Sequence, residues 1–204
     1  MKRININSQQ THFIGCWNLE NNKLCNEITN FFKNNKNLQK QGITASGKNL
    51  KVKSRIDITV SPNDLKKPKF EILKQYVNEL HKCFLDYQNQ WSFLKSMLKT
   101  VYVPGFNIQK YSRGDHFASL HSERTSIDTL HRLFAWMTYL NDVDDGGQTN
   151  FSHYGIKIKP ETGKTLIWPA EWTHAHTGEI LKSGTKYIVT GWIHFPISDS
   201  KQSN

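Results

Sequence analysis

Leu24, Ile28, Phe31 and Phe32 recur at the spacing of one helix face, which predicts a helix over about residues 22–36. Gly42 and Gly47 break that pattern. Residues 42–69 read as short strands and a loop: residues 51–58 alternate in polarity, and Pro62 and Pro68 punctuate the stretch after them. A second, longer amphipathic helix is marked by Phe70, Leu73, Val77, Leu80 and Phe84 and ends near Asn89. From Val101 onward the period shortens to that of strands. Residues 106–111, 133–140, 155–158, 165–168 and 187–193 are apolar or alternating runs separated by turn signals. The predicted class is α+β, mainly β, with helices early and strands late.

Composition changes this picture little. The 204 residues are 37% hydrophobic and 12% aromatic, which excludes global disorder and suits one compact domain. No repeat or low-complexity linker divides the chain. The formal charge is +10, from 27 basic and 17 acidic residues. That balance fits an acidic partner or nucleic acid, but the excess is scattered lysine in an Asn- and Lys-heavy sequence, so it reads as solvated surface. Cys16, Cys25 and Cys83 form no C-x-x-C pair, and one must stay unpaired if two bond, which suits a reducing compartment. Met1-Lys2-Arg3 is followed by polar residues rather than the apolar run of a signal peptide, and no stretch approaches the roughly twenty apolar residues of a membrane span. A cytoplasmic protein without a membrane partner is expected.

The candidate chemistry lies late in the chain. His121-Ser122-Glu123 puts an imidazole and a carboxylate two residues apart, hence on one face of a strand, and a distant histidine would close a third corner. Two imidazoles and one carboxylate on one side of a metal leave the other side open, as suits non-haem Fe(II). A zinc hydrolase could use the same three groups. Thr173-His174-Ala175-His176-Thr177-Gly178 offers two histidines for the third corner. Asp142-Val143-Asp144-Asp145 followed by Gly146-Gly147 is a turn, lacking the ligand pattern and closing Glu of a calcium loop.

Five pieces in order carry a family resemblance: Tyr111-Ser112-Arg113-Gly114, His121-Ser122-Glu123, Gly146-Gly147-Gln148-Thr149-Asn150-Phe151, His176 and Lys186. From about Tyr111 to Trp192 the chain resembles a prolyl 4-hydroxylase-type 2-oxoglutarate and Fe(II)-dependent dioxygenase. The resemblance implies Fe(II) on His121, Glu123 and His176, since the spacing from His176 to Lys186 matches the family. His174 is left as an outer residue. It further implies 2-oxoglutarate as co-substrate, with its far carboxylate on Lys186 and Thr190, and with Tyr111 and Tyr139 supplying phenols to it; ascorbate is a further candidate cofactor. Thr190, four residues beyond Lys186, shares its strand face. Glu123 stands where Asp is commoner, so its strand is expected to sit slightly back from the metal. A carboxylate is retained, which favours hydroxylation over halogenation.

The fold so implied is a double-stranded β-helix, or jelly roll, with the N-terminal helices packed on one sheet. The resemblance leads to the expectation that residues 1–204 form a single dioxygenase domain, with 1–100 as helical support and substrate-loop region and 101–196 as the catalytic jelly-roll core. The expected reaction is hydroxylation of a peptidyl residue, proline first, with succinate and carbon dioxide as co-products. The partner is then a proline-containing protein or peptide. Arg55-Ile56-Asp57 and Arg132 resemble residues that line the substrate entrance in oxygen-sensing prolyl hydroxylases, against the plainer reading of a surface ion pair. Rival readings are a hydroxylase of a free amino acid, a nucleic-acid dealkylase, the zinc hydrolase and a non-catalytic binding module. The dealkylase's Arg-rich motif after the distal His is absent, because Lys186-Tyr187-Ile188-Val189-Thr190 stands there.

Overall fold

The structure, a computed structural model, describes residues 1–8, 11–42 and 54–196. Helix α1 (Asn22–Asn34) begins where the Asn21 side chain accepts the Leu24 amide at 3.0 Å, and it buries Leu24, Cys25, Ile28, Phe31 and Phe32. Its C-terminal carbonyls are satisfied by side chains, Asn35 donating to Phe31 O and Gln39 to Phe32 O, each at 2.7 Å. Helix α2 (Glu71–Gln90) buries Leu73, Tyr76, Leu80, Cys83, Phe84 and Tyr87 along one stripe. Both helices match the predicted ones closely. A short helix, α3 (Ser92–Met97), follows α2 without a sequence signal that predicted it.

The strands, numbered in chain order, form two antiparallel sheets. The larger runs β1 (Lys2–Arg3), β2 (Gly15–Asn18), β10 (Lys164–Pro169), β7 (Arg132–Tyr139), β12 (Thr185–His194), β5 (Phe106–Ser112), β4 (Ile56–Val60), β3 (Lys40–Gln41). The smaller runs β6 (Phe117–His121), β11 (His176–Gly178), β8 (Thr149–Phe151), β9 (Ile156–Ile158). This is the expected jelly roll, with the helices on the outer face of the larger sheet. Residues 51–53 of the alternating run lie outside the described residues, and the strand itself is β4.

Alternation along the central strands divides the core in two. Tyr187, Val189 and Ile193 of β12, Phe106 and Ile108 of β5, and Phe134 and Trp136 of β7 pack with α1 and α2. The intervening residues Ile188, Tyr111, Ala135, Met137 and Tyr139 pack between the sheets with Phe151, Ile158, Leu166 and Trp168. Removing each large apolar side chain from water contributes roughly 1.5–3 kcal/mol, so apolar burial is the main attachment of the helix layer. A buried polar chain crosses it, Tyr76 to Thr138 to Thr165, at 2.8 Å per step.

The expectation of helices early and strands late needs one correction. Gly15-Cys16-Trp17-Asn18 forms β2 on the far side of β10 from β7, because Cys16 faces the inter-sheet core while Trp17 faces the helices and donates to Asp86 at 2.8 Å.

Candidate metal and co-substrate site

His121 ends β6 and His176 begins β11, directly opposite each other in the strand register, with ring centres 4.4 Å apart. Each ring is oriented by its own backbone: His121 Nδ1 donates to Ser119 O at 2.8 Å and His176 Nδ1 to His174 O at 3.0 Å. Because a carbonyl only accepts, both Nδ1 atoms carry a proton; in the neutral rings that a metal requires both Nε2 atoms present lone pairs, and in the protonated rings of the metal-free site they donate toward Glu123. These face Glu123 Oε1, at 3.8 Å from His121 and 3.5 Å from His176. Phe117 stacks on His121 at 3.8 Å, and Trp168 lies edge-on to His176 at 5.1 Å, giving the pair apolar walls.

Glu123 does not share a strand face with His121, contrary to the sequence expectation. Strand β6 stops at His121 because its partner β11 starts opposite it. Beyond that point the backbone pairs elsewhere, the Arg124 amide donating to Ala170 O at 2.9 Å and Arg132 Nη1 to Glu123 O at 2.8 Å. The carboxylate then reaches back to the histidines. Burial alone would raise its pKa; the hydrogen bond and charge of His176, with His121 and the Trp192 N–H, outweigh that and hold Glu123 down at about 2. The anionic form is therefore the resting form, as a metal ligand requires. One donor atom from each residue lies within 4.8 Å of the others. Donors sharing one ion at bonds of about 2.1 Å stand roughly 3 Å apart, so this cluster fits a metal with small adjustment.

His174 is turned away. It is buried, with Nδ1 at 3.0 Å from the Thr173 hydroxyl and Nε2 at 2.8 Å from His12 O, so both nitrogens serve packing rather than a metal.

The triad sits in a cavity of about 260 Å³ between the sheets. Lys186 also lines it, 3% exposed, its Nζ 4.4 Å from the centre of the Tyr111 ring and donating to Gly147 O at 2.8 Å. Among the described residues no carboxylate pairs with this ammonium. Burial, and then the charge of Arg55, lower its pKa to about 7, with Glu179 opposing. Tyr111 lines the same cavity. Its hydroxyl donates to Gln109 Oε1 and accepts from Arg55 Nη1, each at 3.0 Å.

Three expectations shift. Tyr139 is fully buried behind the cavity wall, its hydroxyl 2.6 Å from Thr149 Oγ1, so Thr149 rather than the phenol reaches the cavity. Thr190 lines the cavity on the face of Lys186, but its hydroxyl donates to Trp136 O at 2.7 Å, which leaves it an acceptor toward the interior. Arg132 is not among the cavity-lining residues; it stacks on Trp192 and grips Glu123 from behind. Arg55 and Asp57 do line the cavity, paired at 2.8 Å and nearly buried, so they are not a loose surface pair.

Residues 106–194 match the family model described as the 2OG-Fe(II) oxygenase superfamily. That match spans a little under half of the chain, and over it the chain is similar to that superfamily. The donor set of two imidazoles and one carboxylate fits the iron(II) in the superfamily's name. Prolyl 4-hydroxylase subunit alpha-1 of Homo sapiens is 25% identical over a 100-residue alignment that covers 46% of this chain and 17% of that protein's length. The chain thus spans only a small part of that relative. The viral collagen prolyl hydroxylase of Paramecium Bursaria Chlorella virus-1, solved with 2OG, superposes with a TM-score of 0.65 at 17% identity, covering 91% of this chain and 97% of that one. A prolyl hydroxylase from Trichoplax adhaerens, solved with a hypoxia inducible factor peptide fragment, gives a TM-score of 0.68 at 14% identity over 90% of this chain and 84% of that one. These two likenesses establish the shared fold.

Sequence patterns did not assign Thr149, Gln109, Phe117, Asn107 or Trp192 to the cavity, which all of them line. Thr149 lies inside the G-G-x-T-x-F segment. Gln109 and Asn107 could have been found from the period of two that links them to Tyr111 along β5.

Proposed function

We propose that this chain is an Fe(II)- and 2-oxoglutarate-dependent hydroxylase of a peptidyl residue, proline first. The observation that carries the reading is one cavity with a His-Glu-His cluster and, apart from it, a buried ammonium that no carboxylate of the described residues neutralises. A buried unpaired charge is costly, and a dicarboxylic acid anchored at its far end would remove that cost. His121, Glu123 and His176 hold the metal in this reading. Lys186 binds the far carboxylate, Thr149 donates to it, and the Tyr111 ring supports the ammonium.

Bound iron and 2-oxoglutarate supply the oxidising chemistry, with succinate and carbon dioxide leaving. The protein's part is to place the ligands, to keep Glu123 ionised and to enclose the site with Phe117, Trp168, Met137 and Ile188. Arg55, Asp57, Thr59 and Asn107 form a polar wall of the cavity that fits a peptide main chain better than an apolar ligand.

The relatives' names supply the proline assignment. No helix among the described residues is long and apolar enough to cross a membrane. Cys16, Cys25 and Cys83 are buried thiols, and we place the protein in the cytoplasm. The deciding measurement is 2-oxoglutarate consumption with Fe(II), coupled to a sixteen-dalton gain on a proline-containing peptide read by mass spectrometry. Coupling to a free amino acid or an alkylated base, and never to a peptide, would overturn the substrate assignment.

A further inference from the structure

Trp192 stands on the cavity face of β12, and its indole Nε1 donates to Glu123 Oε2 at 2.7 Å. The other oxygen, Oε1, is the one near the imidazoles, 3.5 Å from His176 Nε2 and 3.8 Å from His121 Nε2. Arg132 backs the indole, its guanidinium carbon 3.9 Å from the ring centre. The same guanidinium donates to Glu123 O at 2.8 Å and lies 3.9 Å from Oε2. Glu123 is thus fixed at its backbone by Arg132 and at its outer oxygen by Trp192.

A carboxylate has two equivalent oxygens and can bind a cation through one or both. Glutamate also has one more rotatable bond than aspartate, so this chain gives its carboxylate extra freedom to swing into chelation. A second bound oxygen would occupy a position on the metal that the co-substrate and dioxygen require. We propose that Trp192 is a positioning residue that holds Glu123 as a one-oxygen ligand and so keeps that position open. The inference rests on the iron and 2-oxoglutarate reading of the site.

Three physical effects combine. The N–H bond at 2.7 Å is short for its type and charge-assisted, so it fixes the rotation of the carboxylate plane. It also withdraws charge from Oε2, leaving Oε1 the better donor. Arg132 stacked beneath adds a cation–π contact that holds the indole in place. Outer partners of this kind typically govern metal affinity by about 10–100-fold.

The test uses Co(II) as an air-stable stand-in for iron, titrated into the full chain and followed by visible absorption and calorimetry. Trp192→Phe is expected to weaken Co(II) binding about tenfold or more and to alter the Co(II) absorption bands, because the carboxylate changes its mode. The rise in melting temperature on adding Co(II) should shrink in step, while the metal-free variant still melts cooperatively. Arg132→Met should shift the same spectrum in the same direction by less. An unchanged spectrum and affinity in folded Trp192→Phe overturns the proposal; if that variant does not fold, an unchanged Arg132→Met does so by the same criterion. Wild-type protein that binds no Co(II) overturns the metal site and the lock together, whereas unchanged variants of a Co(II)-binding wild type remove only the lock.

Discussion

The ammonium of Lys186 and the carbonyl of Gly147 meet at 2.8 Å across the cavity wall, the one hydrogen bond that the Lys186 side chain makes among the described residues. Gly147 sits at φ +68°, and a Cβ there would come within 3.2 Å of both Lys186 Cδ and Leu181 Cδ1. The turn that carries the two glycines is therefore shaped around the lysine. One neutral acceptor compensates a buried cation poorly.

Replacing Lys186 with Met is expected to act with opposite signs on the two states. Unliganded protein should become more stable, since an unpaired buried charge is removed. The 2-oxoglutarate complex should weaken by about 3–5 kcal/mol, a loss on the order of a hundredfold or more in affinity. Calorimetric titration and thermal melting of the same sample check both; unchanged 2-oxoglutarate affinity would sink the assignment of Lys186.

Affinity for 2-oxoglutarate should fall as pH rises above about 7. Lys186 in the unliganded protein titrates near 7, chiefly from burial. Only its protonated form attracts the carboxylate, and the bound carboxylate raises its pKa, so binding above 7 takes up a proton. Titrations in two buffers of different ionisation enthalpy measure that uptake. Stability of the unliganded fold runs the other way. The unfolded lysine holds its proton up to its ordinary pKa of 10.5, so between about 7 and 10.5 the unfolded state binds more protons and folding stability rises with pH. Lys186→Met should lose both dependences.

His176→Ala should abolish Fe(II)-dependent consumption of 2-oxoglutarate, because it leaves two protein ligands. His174→Ala should retain most of it and instead lower stability by about 1–3 kcal/mol, the cost of stranding the His12 carbonyl and a buried hydrogen-bonded ring. A reversed outcome in the turnover assay would overturn the ligand set.

Arg55→Glu should reduce both peptide hydroxylation and the slower decarboxylation expected without peptide. A residue that met only the peptide would spare the second reaction. Arg55, however, donates to Tyr111, whose ring carries Lys186, and it pairs with a nearly buried Asp57. Reversing it sets two carboxylates side by side and disturbs the co-substrate end. Comparing the two rates under identical Fe(II) checks this, and retained decarboxylation would confine Arg55 to the peptide.

The candidate ligands His121 and His176 and the candidate cation Lys186 were legible from their fixed separations along the chain; Lys186 in particular, one of many lysines, stands out only by its distance from His176. Depth was not. Alternation along β7 places Tyr139 on the inner face correctly, but whether its hydroxyl reaches open space depends on Thr149, a residue of another sheet. The end of β6 was equally hidden, since a two-residue spacing suits a strand, while the point where pairing stops is set by where β11 begins, far along the chain. Strands β2, β8 and β11 span four, three and three residues, too few for a period of two to stand out. The two long helices were legible because their apolar faces repeat over several turns.

Strand β12 works as a ruler with coarse graduations. Lys186 and the Glu123-binding Trp192 lie six residues apart on one of its faces, so the backbone distance between the cation and the metal end is set at roughly 20 Å by the strand rise. A shift of one residue would turn Tyr187 into the cavity and Lys186 into the helix layer, and a shift of two would move the cation by about 7 Å. Intermediate settings do not exist for the backbone. Any retuning of this site toward a longer or shorter dicarboxylic acid must therefore come from the side chain at position 186, where exchanging lysine for arginine changes reach by less than one graduation.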